Sequence, residues 1–182
     1  MSDYTNNQKR DLTDIKHLEE MILKANELRE NREGIELETK QLILNKIKIE
    51  ILTLSKDVAG NYAVLKILNN QKPYEVNFIV EALKNKINEL TLNLYGCRVV
   101  QELLSILNEQ NIFIVTSELK QYYEKCIEDK NGNHITQELI EKLSTKDLDD
   151  IYSVLLNNII NLSKHQYGCR LIQRLFKYCN EE

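Results

Sequence analysis

The sequence predicts an all-α solenoid made of three-helix units that repeat every 36 residues. A short motif recurs at 59–68 (AGNYAVLKIL), 95–104 (YGCRVVQELL), 131–140 (NGNHITQELI) and 167–176 (YGCRLIQRLF), and its glycines are 36 residues apart. Apolar residues around each copy follow helical spacing, and the chain has one proline and five glycines. A fixed period of this length is typical of stacked helical units that bury a core together.

The first 49 residues precede the regular repeats. Residues 1–14 are predicted to be a flexible polar tail, and 15–49 a degenerate capping repeat of a single domain that spans 15–182. Helices are predicted at the start of the cap and at about 37–49, with a polar break between them that ends in Gly34. The first of these helices carries an apolar stripe at helical spacing: Ile15, Leu18, Ile22, Ala25 and Leu28.

Four repeats follow, at about 50–85, 86–121, 122–157 and 158–182, and the last is incomplete. In each repeat a short first helix precedes the glycine, a second helix begins at it, and a third helix follows. The first helix carries an apolar pair nine and six residues before the glycine: Ile51/Leu54, Ile87/Leu90, Tyr123/Cys126 and Ile159/Leu162. Apolar residues stand three, four, seven and eight positions after the glycine on the second helix, and sixteen, nineteen and twenty-three positions after it on the third.

The fourth repeat ends without a third helix, so its end is expected to expose apolar surface. We expect a truncated chain, a missing half of the domain, or a contact through which the chain associates with itself.

The second helix also carries a polar pattern that core packing does not explain. The first and fifth residues after the glycine lie one turn apart on one face: Asn61/Leu65, Cys97/Gln101, Asn133/Gln137 and Cys169/Gln173. The residue between them, second after the glycine, is planar in every repeat: Tyr62, Arg98, His134 and Arg170. Edge-pairing side chains beside a planar group that stacks on the base are what readout of single-stranded RNA requires.

Residues 51–178 resemble the repeats of the Pumilio (PUF) family of RNA-binding proteins through GNYAVL, YGCRVVQ, NGNHITQ and YGCRLIQ. The resemblance implies a right-handed superhelix in which each second helix reads one base. It implies adenine at Cys97/Gln101 and at Cys169/Gln173, and uracil at Asn133/Gln137. It also implies uracil at Asn61, where Leu65 replaces the expected glutamine. The implied site, antiparallel to the protein, is 5′-AUA(U)-3′.

The order of these four repeats resembles the N-terminal half of the family's eight-repeat domain, without the repeats that read a 5′ UGU element. The resemblance therefore implies a regulator of messenger RNA that acts in the cytoplasm through 3′ untranslated regions, by translational repression or decay, with protein co-regulators. Two alternatives stay open: a Pumilio-like ribosome-assembly factor in the nucleolus, and a protein-binding helical scaffold. The recurring amide and planar residues favour the RNA reader over both.

Composition argues against several other classes of protein. The net charge is −4, with 24 Lys+Arg against 28 Asp+Glu, which is unlike a strongly basic nucleic-acid binder. No secretory signal or long apolar run is present, so we expect a reduced cytosolic or nuclear setting, no membrane contact and no disulfides. The histidines and cysteines are too scattered for a metal site, and no nucleophile–base arrangement or phosphate-binding loop stands out. Neither a cofactor nor an enzymatic activity is expected.

Several of these side chains also have a purely structural interpretation. Arg98 and Arg170 would pass as solvated helix residues if each stood alone, but repetition at one offset favours a role in binding. Cys97 and Cys169 could be small packing residues, although each stands one turn before a glutamine. Cys126 is expected in the core. His165, in the loop before a second helix, is expected to be a surface residue, with a contact to the backbone as the alternative.

Overall fold

The computed structural model describes residues 13, 16–24, 37–70 and 73–179 of the 182-residue chain. Helices and short turns make up these residues, with no strand among them, so the predicted all-α fold is confirmed there. We label the helical residues 16–24 as α1. The other α-helices are α2 (Leu37–Lys56), α3 (Gly60–Asn70), α4 (Pro73–Leu83), α5 (Ile87–Leu92), α6 (Gly96–Ile106), α7 (Glu109–Leu119), α8 (Tyr123–Glu128), α9 (Gly132–Lys142), α10 (Asp149–Asn157), α11 (Ile159–Lys164) and α12 (Gly168–Cys179). Short 3₁₀ turns stand at Lys120–Tyr122 and Thr145–Leu148.

The helices form two compact units, Met1–Lys86 and Ile87–Glu182. In the first unit, α2 packs against both α3 and α4. In the second unit, α5 packs against α6, α8 against α9 and α11 against α12. The helices α6, α9 and α12 are neighbours in that order. The second helices of three consecutive repeats therefore lie next to one another within one unit.

The second helices α3, α6 and α9 bury the apolar positions that the period predicts. Val99, Val100, Leu103 and Leu104 of α6 are all 0% exposed. Each such side chain contributes roughly 1.5–3 kcal/mol when it is removed from water. In α9 the equivalent set includes Thr136, whose hydroxyl donates to the Gly132 carbonyl at 3.2 Å, so its polar group is satisfied inside the core.

The repeat glycines mark the place where the first and second helices meet. A Cβ atom built on Gly96 would lie 2.7 Å from Leu90 Cδ2, 2.9 Å from its carbonyl oxygen and 3.0 Å from its Cα. The other three glycines meet the residue six positions earlier in the same way. Because backbone atoms are among these neighbours, a side chain at this position would force the two helices apart. The contact residue in the third repeat is Cys126, which is 1% exposed, so its predicted place in the core is confirmed.

The first repeat begins differently from the prediction. We expected a helix at about 37–49 and a separate short helix around Ile51 and Leu54, but α2 runs without interruption over Leu37–Lys56. The sequence KIKIEIL between them has no glycine, proline or strong capping residue to end a helix. At the corresponding junctions of later repeats the helix is interrupted: Asn85 adopts a left-handed φ of 65°, and the 3₁₀ turn Lys120–Tyr122 separates α7 from α8.

The third helix of the third repeat also begins later than the periodicity predicts. Leu148 is buried, but it lies in the 3₁₀ turn rather than in α10, which carries Ile151 and Leu155. The spacing of apolar residues shows which face of a helix is buried. It does not distinguish a 3₁₀ turn from an α-helix at the start of the helix.

Part of the proposed cap lies outside the described residues. Leu18 and Ile22 are described and are 0% exposed. Ile15, Ala25, Leu28 and Gly34 fall outside, as does the polar tail apart from Thr13. None of the helices in the described part of the chain is both long and apolar enough to cross a membrane.

The end of the fourth repeat exposes a position that is buried elsewhere. Leu68, Leu104 and Ile140, eight residues after their glycines, are at most 1% exposed. Phe176 stands at the same offset in α12 and is 60% exposed. The apolar surface predicted at this end is therefore present.

We predict that Gly96→Ala destabilises the fold because the added methyl group collides with Leu90 backbone atoms. Overpacking of this kind costs about 1–3 kcal/mol. Urea unfolding followed by circular dichroism measures the loss. Gln121→Ala, an exposed position, is the control and should leave the midpoint almost unchanged. An unaltered midpoint for the glycine variant would show that the two helices can separate freely.

Candidate nucleic-acid interface

A capping residue three positions before each glycine fixes the start of the second helix. Its side chain accepts hydrogen bonds from two backbone N–H groups, that of the residue before the glycine and that of the glycine itself. The acceptor oxygens of the first three repeats lie 2.7–3.0 Å from those nitrogens. In the fourth repeat, imidazole Nδ1 accepts both bonds at 3.3 Å. The four capping residues are Asp57, Asn93, Asp129 and His165.

The sequence carries a signal for these caps that the apolar periodicity does not reveal. An aspartate, an asparagine, an aspartate and a histidine recur at one offset, and all can accept a hydrogen bond at a helix start. For His165 the structure shows the alternative, a contact with the backbone: the side chain is half-buried, and both its cap bonds and its T-shaped contact with Tyr167 fix its position.

The residues directly after the glycines point back toward the capping loop. Asn133 is 0% exposed, and its amide nitrogen donates to the carbonyls of Asp129 and Lys130, each at 2.9 Å. Asn61 is equally buried and donates to Asp57 and Val58 at 2.8 and 2.9 Å. The amide hydrogens of both asparagines are therefore committed to backbone oxygens.

The cysteines at the same offset point the same way. The Cys97 thiol donates to the Leu94 carbonyl at 3.4 Å, and the Cys169 thiol approaches the Gln166 carbonyl at 3.8 Å. Burial raises the pKa of the Cys97 thiol, although the neighbouring Arg98 charge opposes that effect. The thiol is therefore protonated at neutral pH, and Cys97 offers a small neutral surface.

The fifth residue after the glycine is more accessible than the first. Gln101 and Gln137 are half-buried, and Gln173 is exposed. Gln137 Nε2 donates to Asn133 Oδ1 at 2.8 Å, so the two predicted edge-reading residues of the third repeat are directly joined. The second amide hydrogen and Oε1 of Gln137 are left to bind an external partner.

The first repeat lacks this bond. Leu65 stands at the glutamine position and is half-buried, and Asn61 Oδ1 is buried without a hydrogen-bond partner. A buried acceptor that loses its partner costs free energy because it has given up water without replacement. The Leu65 side chain therefore leaves a defect that the third repeat does not have.

The planar residues second after the glycines are all on the surface. Tyr62 is 52% exposed, and Arg98, His134 and Arg170 are exposed as well. In the second unit, the last three lie on α6, α9 and α12, which are consecutive neighbours. Flat groups are thus displayed once per repeat, beside the half-buried or exposed glutamines.

Charges next to these residues are partly neutralised within the protein. Arg174 of α12 forms an ion pair with Glu141 of α9. Within α9, Lys142 Nζ lies 3.9 Å from Glu138 Oε1. Burial raises the pKa of the Glu138 carboxyl, Lys142 opposes this effect, and Glu102 reinforces it. Within the described part of the chain, no group of three His, Cys, Asp or Glu side chains is arranged to hold a metal ion.

The family model for the Pumilio-family RNA-binding repeat matches residues 50–84, 86–120, 124–156 and 158–182. The chain belongs to the Pumilio family. The predicted resemblance and the predicted class, an all-α solenoid of Pumilio-type repeats, are thereby confirmed. The prediction that the chain is not an enzyme is also confirmed, because the matched unit is an RNA-binding repeat.

Relatives and solved structures agree with the match. Putative pumilio homolog 8, chloroplastic, of Arabidopsis thaliana is 30% identical over 141 residues, 75% of this chain and 27% of the relative. Suppressor protein MPT5 of Saccharomyces cerevisiae is 28% identical over 149 residues, 77% of this chain and 17% of the relative. The Puf3 RNA-binding domain bound to a Cox17 RNA 3′ UTR recognition sequence (site A) is 32% identical with a TM-score of 0.70, over 92% of this chain and 48% of that one. PUF-8 in complex with PBE-RNA is 30% identical with a TM-score of 0.68, over 84% and 44%.

These Pumilio relatives are longer than the chain. It spans 27% and 17% of the two curated relatives, and less than half of the two solved chains.

We predict that Leu65→Gln stabilises the first Pumilio repeat. The new amide can donate to Asn61 Oδ1 as Gln137 does to Asn133, and one such hydrogen bond contributes about 1 kcal/mol. The measurement is the free energy of unfolding in urea. Leu65→Glu is the matched control, since a carboxylate of similar length has no hydrogen to donate at neutral pH. Equal changes in both variants would show that polarity alone, rather than the bond, determines the effect.

Proposed function

We propose that this Pumilio-family chain binds single-stranded RNA through its second helices, one base per repeat. The observation that supports this most directly is that all four repeats expose a planar residue at the same offset. In three of the four repeats a glutamine stands beside it. A planar side chain stacks on any base, and stacking is worth about 1–3 kcal/mol per base. The amide next to it can pair with an edge.

The proposed site is 5′-AUA(U)-3′, with the fourth repeat on the first base. Cys97/Gln101 and Cys169/Gln173 read adenine, beside the stacking residues Arg98 and Arg170. The neutral thiol of Cys97 and the nearby Gln101 amide suit a base with both a donor and an acceptor on its edge.

In the third repeat, the pair Asn133 and Gln137 reads uracil through the Gln137 amide, because the Asn133 amide hydrogens bind the backbone. The bond between them orients the glutamine and leaves it one hydrogen and one oxygen. Uracil presents a matching N–H and carbonyl edge. His134 stacks on the same base.

The first repeat contributes stacking through Tyr62 with little selection of the base. Both Asn61 amide hydrogens bind the backbone, and Leu65 has no polar group. The last position of the site is therefore the most permissive one.

The biological role proposed is regulation of messenger RNA in the cytoplasm through 3′ untranslated regions, together with protein co-regulators. Solved neighbours at 30% identity or more include a Puf3 RNA-binding domain bound to a 3′ UTR sequence, which supports this target class. Three repeats with intact reading pairs favour this role over a ribosome-assembly factor in the nucleolus or a protein-binding scaffold.

We predict sequence-dependent binding of short RNAs. Fluorescence anisotropy of the full chain with an AUAU-containing RNA should give roughly micromolar affinity, from a few stacked bases less the cost of ordering the strand. A CCCC-containing RNA of equal length should bind at least tenfold more weakly. Gln101→Ala and Gln137→Ala should each reduce that ratio, while Gln121→Ala, at an exposed position outside the second helices, should keep it. Equal affinity for the two RNAs would rule out base readout.

We also propose that the exposed apolar end of α12 mediates contact between copies of the chain. The equivalent positions Leu104 and Ile140 of the second unit are buried, whereas Phe176 is 60% exposed, so this surface continues an interface that the neighbouring repeats already form.

We predict that the sedimentation coefficient rises with protein concentration and that Phe176→Ser suppresses the rise. Phe113→Ser is the control, because Phe113 is 71% exposed on α7, away from this end. A single monomeric species at several hundred micromolar would contradict the proposal.

A further inference from the structure

We propose that His165 is a positioning residue whose protonation weakens adenine binding by the fourth repeat. The inference rests on the proposed RNA-binding function and concerns a helix cap with an imidazole, which the other three repeats lack. It follows from a comparison of four equivalent caps in one chain.

The caps differ in chemistry at one repeat only. Asp57, Asn93 and Asp129 each present a side-chain oxygen as the acceptor. His165 presents a ring nitrogen, and its two bonds are the longest of the set, 3.3 Å against 2.7–3.0 Å. A neutral imidazole accepts at one nitrogen, while a protonated one donates at both.

Protonation would therefore break this cap. A hydrogen on Nδ1 would face the N–H groups of Tyr167 and Gly168, so donor would meet donor. The new positive charge would also stand at the N-terminal end of α12, where the helix dipole disfavours cations. Imidazoles gain this proton between about pH 8 and 5, which is within the range of cellular compartments.

The cap and the proposed reading residues share one turn of backbone. The Cys169 N–H donates to the His165 carbonyl at 3.2 Å, and the Arg170 N–H donates to the Tyr167 carbonyl at 3.0 Å. The Cys169 thiol faces the Gln166 carbonyl. If the cap opens, the loop 165–167 can move, and Cys169 and Arg170 lose the backbone contacts that orient them. His165 would thus act on the base through these residues, without touching it.

Other ionisable groups on the elements packed against α11 and α12 must be separated from His165. The carboxylates and the histidine on α8, α9 and α10, the helices packed against them, are Glu124, Glu128, His134, Glu138, Glu141, Asp149 and Asp150. Burial raises the pKa of the Glu138 carboxyl, and His134 carries a second imidazole, exposed on α9. The lysines and arginines, including Lys164 and Arg170 beside the loop, stay charged throughout. A substitution at residue 165 leaves all of them in place.

The test measures adenine preference at the first RNA position as pH falls. Affinities of the full chain for AUAU and CUAU RNAs are compared from pH 8 to pH 5.5, for the wild type and for His165→Asn, which copies the cap of the second repeat. The free energy of a helix cap, about 1 kcal/mol, corresponds to roughly fivefold in an equilibrium constant. The wild type should lose about that much of its adenine preference on acidification, and the variant should keep it. A pH profile of this preference that is identical in both proteins would overturn the proposal.

A transplanted cap gives the reciprocal experiment. Asn93→His places an imidazole before α6 and should make adenine preference at the third RNA position pH-dependent, while the first position behaves as in the wild type. Absence of any new pH dependence at the third position would contradict the mechanism, even if His165→Asn had behaved as expected.

A measurement without RNA separates this inference from the proposed function. Amide hydrogen exchange at Gly168 is compared with exchange at Gly96 in the same sample, which cancels the intrinsic effect of pH. The ratio should rise on acidification in the wild type and stay constant in His165→Asn. If the ratio behaves in this way but the chain binds no RNA, the cap mechanism is supported and the proposed RNA function is contradicted. A constant wild-type ratio would remove the cap mechanism, whatever RNA does.

Discussion

The close approach of two backbones at each repeat glycine is the constraint on which the other features depend. With no Cβ between them, the start of a second helix rests directly on the first helix, for example on the carbonyl and Cα of Leu90. In the loop that joins them, a side chain three residues before the glycine accepts the hydrogen bonds of two backbone N–H groups. That arrangement fixes the direction in which α6, α9 and α12 begin, and so determines which side chains face outward.

Each second helix then divides its residues among three environments. Val99 and Leu103 are sealed in the core, and Arg98 is exposed to solvent. The residue after the glycine is in neither, since it is buried against the capping loop by its own hydrogen bonds. This third environment explains why asparagine and cysteine, which are small and able to donate, both occur there. The fifth residue, one turn later, reaches out from that buried support.

Periodicity predicted most of the fold, because an apolar side chain at a fixed offset reports directly on burial. It predicted the core of α6 and α9 and the exposed planar residues, but it placed Phe176 on the buried face of α12, where this side chain is exposed. It did not predict the continuous α2, since the same apolar spacing fits one helix or two. The caps were missed because their common property is an acceptor atom, shared by Asp57, Asn93 and His165, rather than a residue type. The burial of Asn133 could not be predicted from the sequence, because its hydrogen bonds to the Asp129 and Lys130 carbonyls depend on the geometry of the loop.

The uninterrupted helix α2 has a consequence for how the N-terminal unit comes apart. In stacked repeats, unfolding normally proceeds one unit at a time, because each unit contacts only its neighbours. Here a single 20-residue rod includes the end of the predicted cap and the first helix of the first repeat, and it packs on both α3 and α4. Fraying from this end cannot stop at the repeat boundary without breaking a helix in its middle. The cap and the first repeat should therefore melt as one cooperative block, larger than any single repeat beyond it.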